Sequence, residues 1–168
     1  MIIIPAIDIK DSRCVRLTQG RMEDETVYSL DPSEVARRWA GAGAELIHLV
    51  DLDGAVEGNA KNYEVIKKIA SSVDVPVQVG GGIRDLQTAE LYLNTPGVKR
   101  VIIGTAACEN PAFLKALTKK YPGRVAVGID AKDGLVAIKG WVKVTDHRAV
   151  DLARKLEGEG VACIISGL

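Results

Sequence analysis

The sequence predicts an α/β fold with a mostly parallel sheet, in the element order β(αβ)5 and as a single domain over residues 1–168. Three observations support this prediction. Short runs of β-branched residues recur along the chain, and most are followed by an amphipathic segment. The segments between the runs are long enough for the crossover helix that parallel strands require. No Ser-rich or Pro-rich linker divides the chain, and 47% hydrophobic residues suffice for one core.

The predicted strands are six short apolar runs of the kind that form buried parallel strands. The chain ends at the sixth of them. In order they are Ile2–Ile7, Leu46–Val50, Val75–Val79, Val101–Ile103, Val125–Ile129 and Ala162–Ile165.

Helix starts are marked by capping side chains, twice followed by a proline at the first helical position. Asp31–Pro32 opens one helix, with Val35, Trp39 and Ala42 expected to face inward. The helix Tyr63–Ile69 has a weaker start. The other predicted starts are Asp85 before Leu86–Asn94, Asn110–Pro111, and Thr145 or Asp146 before Ala149–Glu159.

Two long connections interrupt this rhythm. Lys10–Ser29 follows the first strand and Gly134–Val144 follows the fifth. Long polar connections at corresponding points of a compact domain are often functional, so both are expected to be lids over a site.

A repeated motif distinguishes between two architectures that share this element order, a doubly wound open sheet and a portion of a (β/α)8 barrel. The sequence AIDIKDS ends the first strand with Asp8, and GIDAKDG ends the fifth with Asp130. Such a repeat is expected of two duplicated half-barrels. In a closed barrel, strands one and five face each other, and both carboxylates would point into one mouth. A rearranged, open flavodoxin-like sheet remains the alternative.

Glycines follow the third and fourth strands. VGGGIRD places Gly81 and Gly82 at one strand end, and IIGTAA places Gly104 and Thr105 at the next. Bare backbone amides at a strand-to-helix turn can approach an anion, so the two turns together favour a phosphate site. The alternative is that the glycines serve the turn conformation alone.

The charge balance excludes several classes of partner. Acidic and basic residues number 22 each, so no global charge favours nucleic acid or an anionic membrane. Three unpaired cysteines indicate a reducing cytoplasm. The absence of a His, Cys and carboxylate cluster in the sequence indicates no metal. The ligand is therefore expected to be a small molecule.

Several motifs in order make the chain resemble the ProFAR isomerase family of histidine biosynthesis. They are PAIDIKDSRCVRLTQG, HLVDLDGAVEGNAKN, VGGGIRD, IIGTAA, VGIDAKDG and GWVKVTDH. The resemblance implies a (β/α)8 barrel, no cofactor, and an Amadori rearrangement of an aminoaldose to an aminoketose. The implied substrate is a ribotide with a phosphate at each end.

The resemblance also assigns roles to residues. It implies that Asp8 is the general base and Asp130 the general acid of the rearrangement. Trp141 would stack on the heterocycle of the substrate. Further expected substrate-binding residues are Arg16 and Arg84, which could contact anionic groups, and Asp51, which would organise the mouth. His48 is interpreted as a packed strand residue and His147 as a neighbour of a helix cap.

The resemblance covers about the N-terminal two-thirds of a barrel that has eight strands in the family. We therefore expect a truncated barrel with impaired or no activity, lacking the second phosphate motif. The alternative function is a non-catalytic fragment that retains one phosphate site. Unpaired strand edges of such a fragment favour a homo-oligomer.

Overall fold

The computed structural model describes residues 1–18, 21–138 and 143–167. The described strands are β1 Ala6–Lys10, β2 Arg13–Thr18, β3 Arg21–Ser29, β4 Ile47–Asp51, β5 Val77–Gly80, β6 Val98–Ile103, β7 Val125–Lys132, β8 Leu135–Ile138, β9 Lys143–Arg148 and β10 Cys163–Gly167. The helices are α1 Pro32–Gly41, α2 Leu52–Glu57, α3 Tyr63–Ser71, α4 Leu86–Leu93, α5 Ala106–Glu109, α6 Pro111–Lys120 and α7 Ala149–Glu157.

The six predicted parallel strands are confirmed. They lie side by side in chain order, β1-β4-β5-β6-β7-β10, and every neighbouring pair in this row is parallel. A doubly wound sheet reverses its strand order at one point, and this sheet has no such reversal among the described strands. The flavodoxin-like alternative is therefore wrong. The sheet is a curled, open portion of a barrel.

The first strand begins later than predicted. β1 starts at Ala6, and Ile2 and Ile3 lie exposed outside the sheet. The neighbouring strand β4 starts at Ile47, and the amide of His48 already bonds the carbonyl of Pro5 at 2.9 Å. Residues before Pro5 therefore extend past the end of that ladder.

Both predicted lid loops contain antiparallel hairpins instead. β2 and β3 continue from β1, and β8 and β9 continue from β7, each as an antiparallel meander. Two features of each connection allow this pairing. Side chains alternate between the two faces of an extended strand, and a tight turn reverses the chain.

The two copies of the repeated motif adopt the same kind of hairpin turn. Asp11 and Ser12 turn the first with φ of 47° and 63°, and Asp133 and Gly134 turn the second with φ of 52° and 79°. Two successive residues of positive φ are the mark of the type I′ turn that suits a two-residue hairpin. The repeated Lys-Asp therefore encodes a repeated turn.

Three of the predicted helix caps are confirmed. Asp31 accepts the amide of Ser33 at 3.1 Å, and Asp85 accepts that of Thr88 at 2.7 Å. Asn110 caps α6 in the same way. The predicted caps Thr145 and Asp146 are wrong, because both lie within β9 and Arg148 is the N-cap residue of α7.

The inward face predicted for α1 is partly wrong. Its buried residues are Pro32, Ser33 and Ala36, whereas Trp39 and Ala42 are exposed. The buried face is centred on Ala36, whose small side chain lets the helix approach the sheet.

The strands have two distinct faces. Ile7, Leu49, Val79 and Val127 belong to a core that packs against the helices. Because successive side chains of a strand point to opposite faces, the residues between them lie on the concave face of the sheet. That inner face carries Asp8 and Asp130, and the turns after β5 and β6 carry Gly81, Gly82, Gly104 and Thr105.

Candidate active site

A cavity of about 360 Å³ opens on the concave face at the carboxyl ends of the parallel strands. This is the end at which (β/α)8 barrels carry their sites. The cavity brings together six of the predicted residues, which are Gly81, Gly82, Arg84, Gly104, Thr105 and Asp130.

Asp130 lies near the carboxyl end of β7, two residues before the strand ends and three before the hairpin turn at Asp133. Its neighbours Ile129 and Ala131 are buried against the helices, so the carboxyl group lies on the concave face. Partial burial raises the pKa of Asp130 above its ordinary value. A raised pKa increases the fraction of protonated carboxyl near neutral pH, which suits a proton donor.

Asp8 holds the equivalent position in β1, two residues before the strand ends and between buried Ile7 and Ile9. Burial raises the pKa of the Asp8 carboxyl, and the positive charge of Arg16 works in the opposite direction. Arg16 is exposed on β2. Asp8 is outside the lining of the cavity as the described residues define it. The structure therefore places both carboxylates on one face but only Asp130 against the cavity.

Asp51 is completely buried on the helix side of β4. Its carboxylate accepts bonds from the amide of Gly54 at 2.8 Å and from both nitrogens of Asn62, at 2.9 Å and 2.7 Å. Tyr92 contributes a longer hydroxyl contact at 3.5 Å. With no exposed surface, Asp51 supports the loop beneath the mouth and has no access to a ligand.

Gly81 and Gly82 have a packing reason to be glycine. Both have positive φ, 102° and 73°. A Cβ at Gly81 would overlap the carbonyl of Asp51, and one at Gly82 would overlap the carbonyls of Gly54 and Asn59. The turn after β5 therefore packs directly against the backbone around α2, and the turn explanation for these two glycines is sufficient.

Gly104 differs from them. Its φ is outside the positive region, and an added Cβ would meet no atom within 4 Å. Neither conformation nor packing therefore requires a glycine at this position. The open space faces the cavity, beside Thr105 at the start of α5.

Arg84 lies at the rim and is exposed. Its guanidinium donates to the carbonyl of Ala55 at 2.8 Å, and it lies so close to Gly58 that a Cβ there would overlap it. This contact holds the positive charge at the edge of the cavity.

The sequence of the chain matches the family described as "Histidine biosynthesis protein" over residues 2–167. The chain belongs to the histidine biosynthesis family.

Relatives in this family are isomerases by name. A 1-(5-phosphoribosyl)-5-((5-phosphoribosylamino)methylideneamino)imidazole-4-carboxamide isomerase of Desulfatibacillum aliphaticivorans is 57% identical over 98% of this chain and 65% of its own length. Enzymes of the same name from Geobacter sp. strain M21 and Trichlorobacter lovleyi are 55% and 56% identical, again over 98% of this chain. The chain spans about two-thirds of the length of these relatives.

Two residues that the sequence did not single out, Asn62 and Asp53, connect the turn after Asp8 to the residues that follow β4. The side chain of Asn62 donates to Asp51 and to Asp53, and its oxygen accepts the amide of Ser12 at 3.0 Å. Asp53 accepts the amide of Asp11 at 2.7 Å. The positive-φ turn that follows Asp8 is thereby fixed to α2 and to the N-cap residue of α3. The quoted stretch DLDGAVEGNAKN contains both residues, but only the fold brings them to the turn.

His48 is a third residue at the site that the sequence did not reveal as a site residue. The sequence interpretation made it a packed strand residue, whereas the structure places it in the lining of the cavity, on the concave face of β4. The side chain of His147 and all of Trp141 lie outside the described residues.

Two further kinds of feature are absent from the described part of the chain. It contains no group of three His, Cys, Asp or Glu side chains arranged to hold a metal ion. It also contains no helix long and apolar enough to cross a membrane.

Proposed function

We propose that the chain carries the acid and base of a ProFAR isomerase, which converts an aminoaldose to an aminoketose by an Amadori rearrangement. The observation that carries this proposal is the repeated placement of Asp8 and Asp130. Each lies on the concave face two residues before the end of its strand and three residues before a hairpin turn of the same positive-φ type. The names of the relatives supply the substrate.

In the proposed mechanism Asp130 protonates the ring oxygen of the aminoaldose and Asp8 removes the proton from C2. Two carboxyl groups can divide these tasks when their surroundings differ. Burial raises the pKa of both groups, but the positive charge of Arg16 counteracts this at Asp8 alone. We assign the base to Asp8 because the charge of Arg16 favours its ionised form, and the acid to Asp130 because burial favours its protonated form.

The substrate is proposed to be a small ribotide with two phosphates. One phosphate would lie at the turns after β5 and β6, where Gly104 leaves room for an anion beside Thr105 and Arg84 provides positive charge. Trp141 would stack on the heterocycle, and Arg16 would contact an anionic or polar group near Asp8. The relatives are longer than this chain, so we propose that full turnover requires the part of their length beyond the match.

Single substitutions test the pair of carboxylates. The host is this chain joined to the C-terminal third of the Desulfatibacillum relative, assayed for ProFAR turnover beside the chain alone. We expect Asp8→Asn and Asp130→Asn each to lower kcat by at least about a hundredfold, the usual scale for loss of an acid or base. Asp74→Asn, an exposed carboxylate elsewhere, serves as the control. Full activity of either test variant would refute its assignment.

A non-catalytic, phosphate-binding role is the second candidate. It is favoured by the open space at Gly104. Under this proposal the chain binds inorganic phosphate at the turn after β6 but does not turn over ProFAR. Calorimetric titration with phosphate, together with the turnover assay on the same preparation, separates the two functions.

The cytoplasm is the proposed compartment. Cys14, Cys108 and Cys163 are all free, and Cys14 is buried. Free thiols persist in a reducing environment. Fractionation of the producing cells tests this assignment.

A further inference from the structure

Three polar side chains form a row across the concave face. His48 on β4, Gln78 on β5 and Arg100 on β6 are successive partners in the parallel ladder. The amide nitrogen of Gln78 lies 2.7 Å from Nδ1 of His48, and Nε of Arg100 lies 2.7 Å from the amide oxygen of Gln78. Gln78 itself is 2% exposed.

Arg100 determines which atoms donate and which accept along this row. A guanidinium can donate hydrogen bonds but cannot accept them. Arg100 must therefore face the oxygen of the Gln78 amide, and this fixes which end of the amide is turned toward the histidine. The NH2 group of Gln78 donates to His48, so Nδ1 of His48 is the acceptor.

An accepting Nδ1 carries no proton, so the proton of the neutral imidazole is on Nε2. Partial burial lowers the pKa of His48, and the positive charge of Arg100 lowers it further. Both effects favour the neutral ring. Protonation of Nδ1 would also place two donors against each other across the 2.7 Å contact with Gln78.

His48 borders the cavity together with Gly80, Gly81 and Asp130. Its Nδ1 is engaged by Gln78, and no described residue bonds Nε2. The ring nitrogen that carries the proton is thus the one left for a ligand.

We propose that His48 is a ligand-binding residue that donates from Nε2–H to an oxygen acceptor of the substrate, and that Gln78 and Arg100 are positioning residues that fix its tautomer. A neutral donor discriminates between acceptors by geometry and adds no charge beside Asp130. The identity of the ligand rests on the proposed isomerase function. The assignment of the tautomer is independent of that function, because it follows from the contacts among His48, Gln78 and Arg100.

Nitrogen-15 NMR of the imidazole rings tests the tautomer without any ligand. The chain has two histidines, so a His147→Gln variant assigns the spectrum. At pH 7 we expect a pyridine-type nitrogen shift at Nδ1 of His48 and a pyrrole-type shift at Nε2. A protonated Nδ1 in the neutral ring would overturn the proposal.

Substitutions of Gln78 and Arg100 test whether these two residues fix the tautomer of His48. Gln78→Glu replaces the donor with a carboxylate, so we expect the proton to move to Nδ1 of His48. Arg100→Met frees the Gln78 amide to flip, so both tautomers should become populated. Arg100→Lys keeps a cationic donor and should preserve Nε2–H. Unchanged shifts in both Gln78→Glu and Arg100→Met would overturn the positioning roles.

Titration with ProFAR tests the binding role. We expect the Nε2–H resonance of His48 and the backbone amide of Gly104 to shift together as the site fills. A shift at Gly104 with none at His48 would overturn the donor role. No shift at either position would overturn the proposed function and the donor role with it, while the tautomer result in the free chain would be unaffected.

Discussion

At the scale of single residues, the two carboxylates of the proposed reaction lie where partial burial makes their ionisation unfavourable. Asp8 and Asp130 are partly buried, and burial raises the pKa of each. A carboxyl group whose pKa is raised by folding favours the folded state at low pH. That contribution is lost as the pH rises through the folded pKa.

Asp8→Asn and Asp130→Asn should therefore stabilise the chain at neutral pH. The neutral amide removes the cost of burying a charge. Because both groups are partly exposed and solvent screens their charge, we expect a gain of no more than about 0.5–1 kcal/mol for each, at roughly 2–4 °C in Tm per kcal/mol. Thermal unfolding at pH 7 measures the gain.

The pH dependence provides the check. Below 3.8, the ordinary pKa of an Asp carboxyl, the parent groups are protonated and the gain should vanish. Asp74→Asn should show no comparable gain at neutral pH. Equal stabilisation by Asp8→Asn or Asp130→Asn at acid and neutral pH would contradict the burial argument.

At the scale of elements, the two hairpin turns differ at one informative position. Ser12 and Gly134 both have positive φ, a conformation in which a residue with a side chain is strained by about 1–2 kcal/mol. Ser12→Gly should stabilise the chain by about 0.5–1 kcal/mol after the greater unfolded-state freedom of glycine is deducted. The amide of Ser12 that bonds Asn62 is retained.

The reciprocal change is the matched control for the turn. Gly134→Ser should lower the free energy of unfolding by a similar amount, because nothing within 4 Å of a Cβ there would add a packing effect. Chemical denaturation measures both variants. Opposite signs are expected, and the same sign in both would show that backbone strain is not the cause.

The glycines of the βα turns separate packing from ligand binding. Gly104→Ala should leave stability within about 0.5 kcal/mol of the parent but lower affinity for phosphate about tenfold, because the methyl group enters the space left for the anion. Gly82→Ala should lower stability by at least about 2 kcal/mol, because its φ is positive and backbone lies in the way. Isothermal titration and thermal unfolding compare the two. Unchanged phosphate binding in Gly104→Ala would refute the assignment of the phosphate site to this turn.

Locally encoded features could be predicted from the sequence. The caps Asp31, Asp85 and Asn110 act on amides two or three residues away, and their predictions are confirmed. The hairpins were missed because their polar residues suggested loops, although the alternation in RCVRLT was a usable signal. The contacts of Asn62 with Ser12 and of His48 with Gln78 join residues far apart in the chain, so only the assembled fold reveals them.

At the scale of the whole molecule, the open sheet leaves apolar surface beside β10. Val150 is 52% exposed and Ile164 is 38% exposed. Among the described strands, β10 pairs with β7 alone, so its other edge is unpaired. Such an edge with an apolar face favours association with another chain.

We expect the chain to self-associate at micromolar concentrations and Ile164→Lys to shift it toward the monomer. Leu91→Lys is the matched control, because Leu91 on α4 is 40% exposed and remote in sequence from that edge. Sedimentation velocity over a concentration series measures the distribution. An association weakened equally by both substitutions, or absent in the parent chain, would contradict the assignment of this surface.

The unequal lengths of the two hairpins have a consequence for how a ligand reaches the cavity. The described strands β2 and β3 hold 15 residues together, whereas β8 and β9 hold 10. The difference of five residues, shared between two arms, amounts to about 8 Å of reach in each. The longer arm is also anchored, since Lys10 pairs with Glu25 at 2.7 Å. The β7 side of the sheet, which carries Asp130, therefore has less hairpin chain with which to cover a ligand than the β1 side, which carries Asp8.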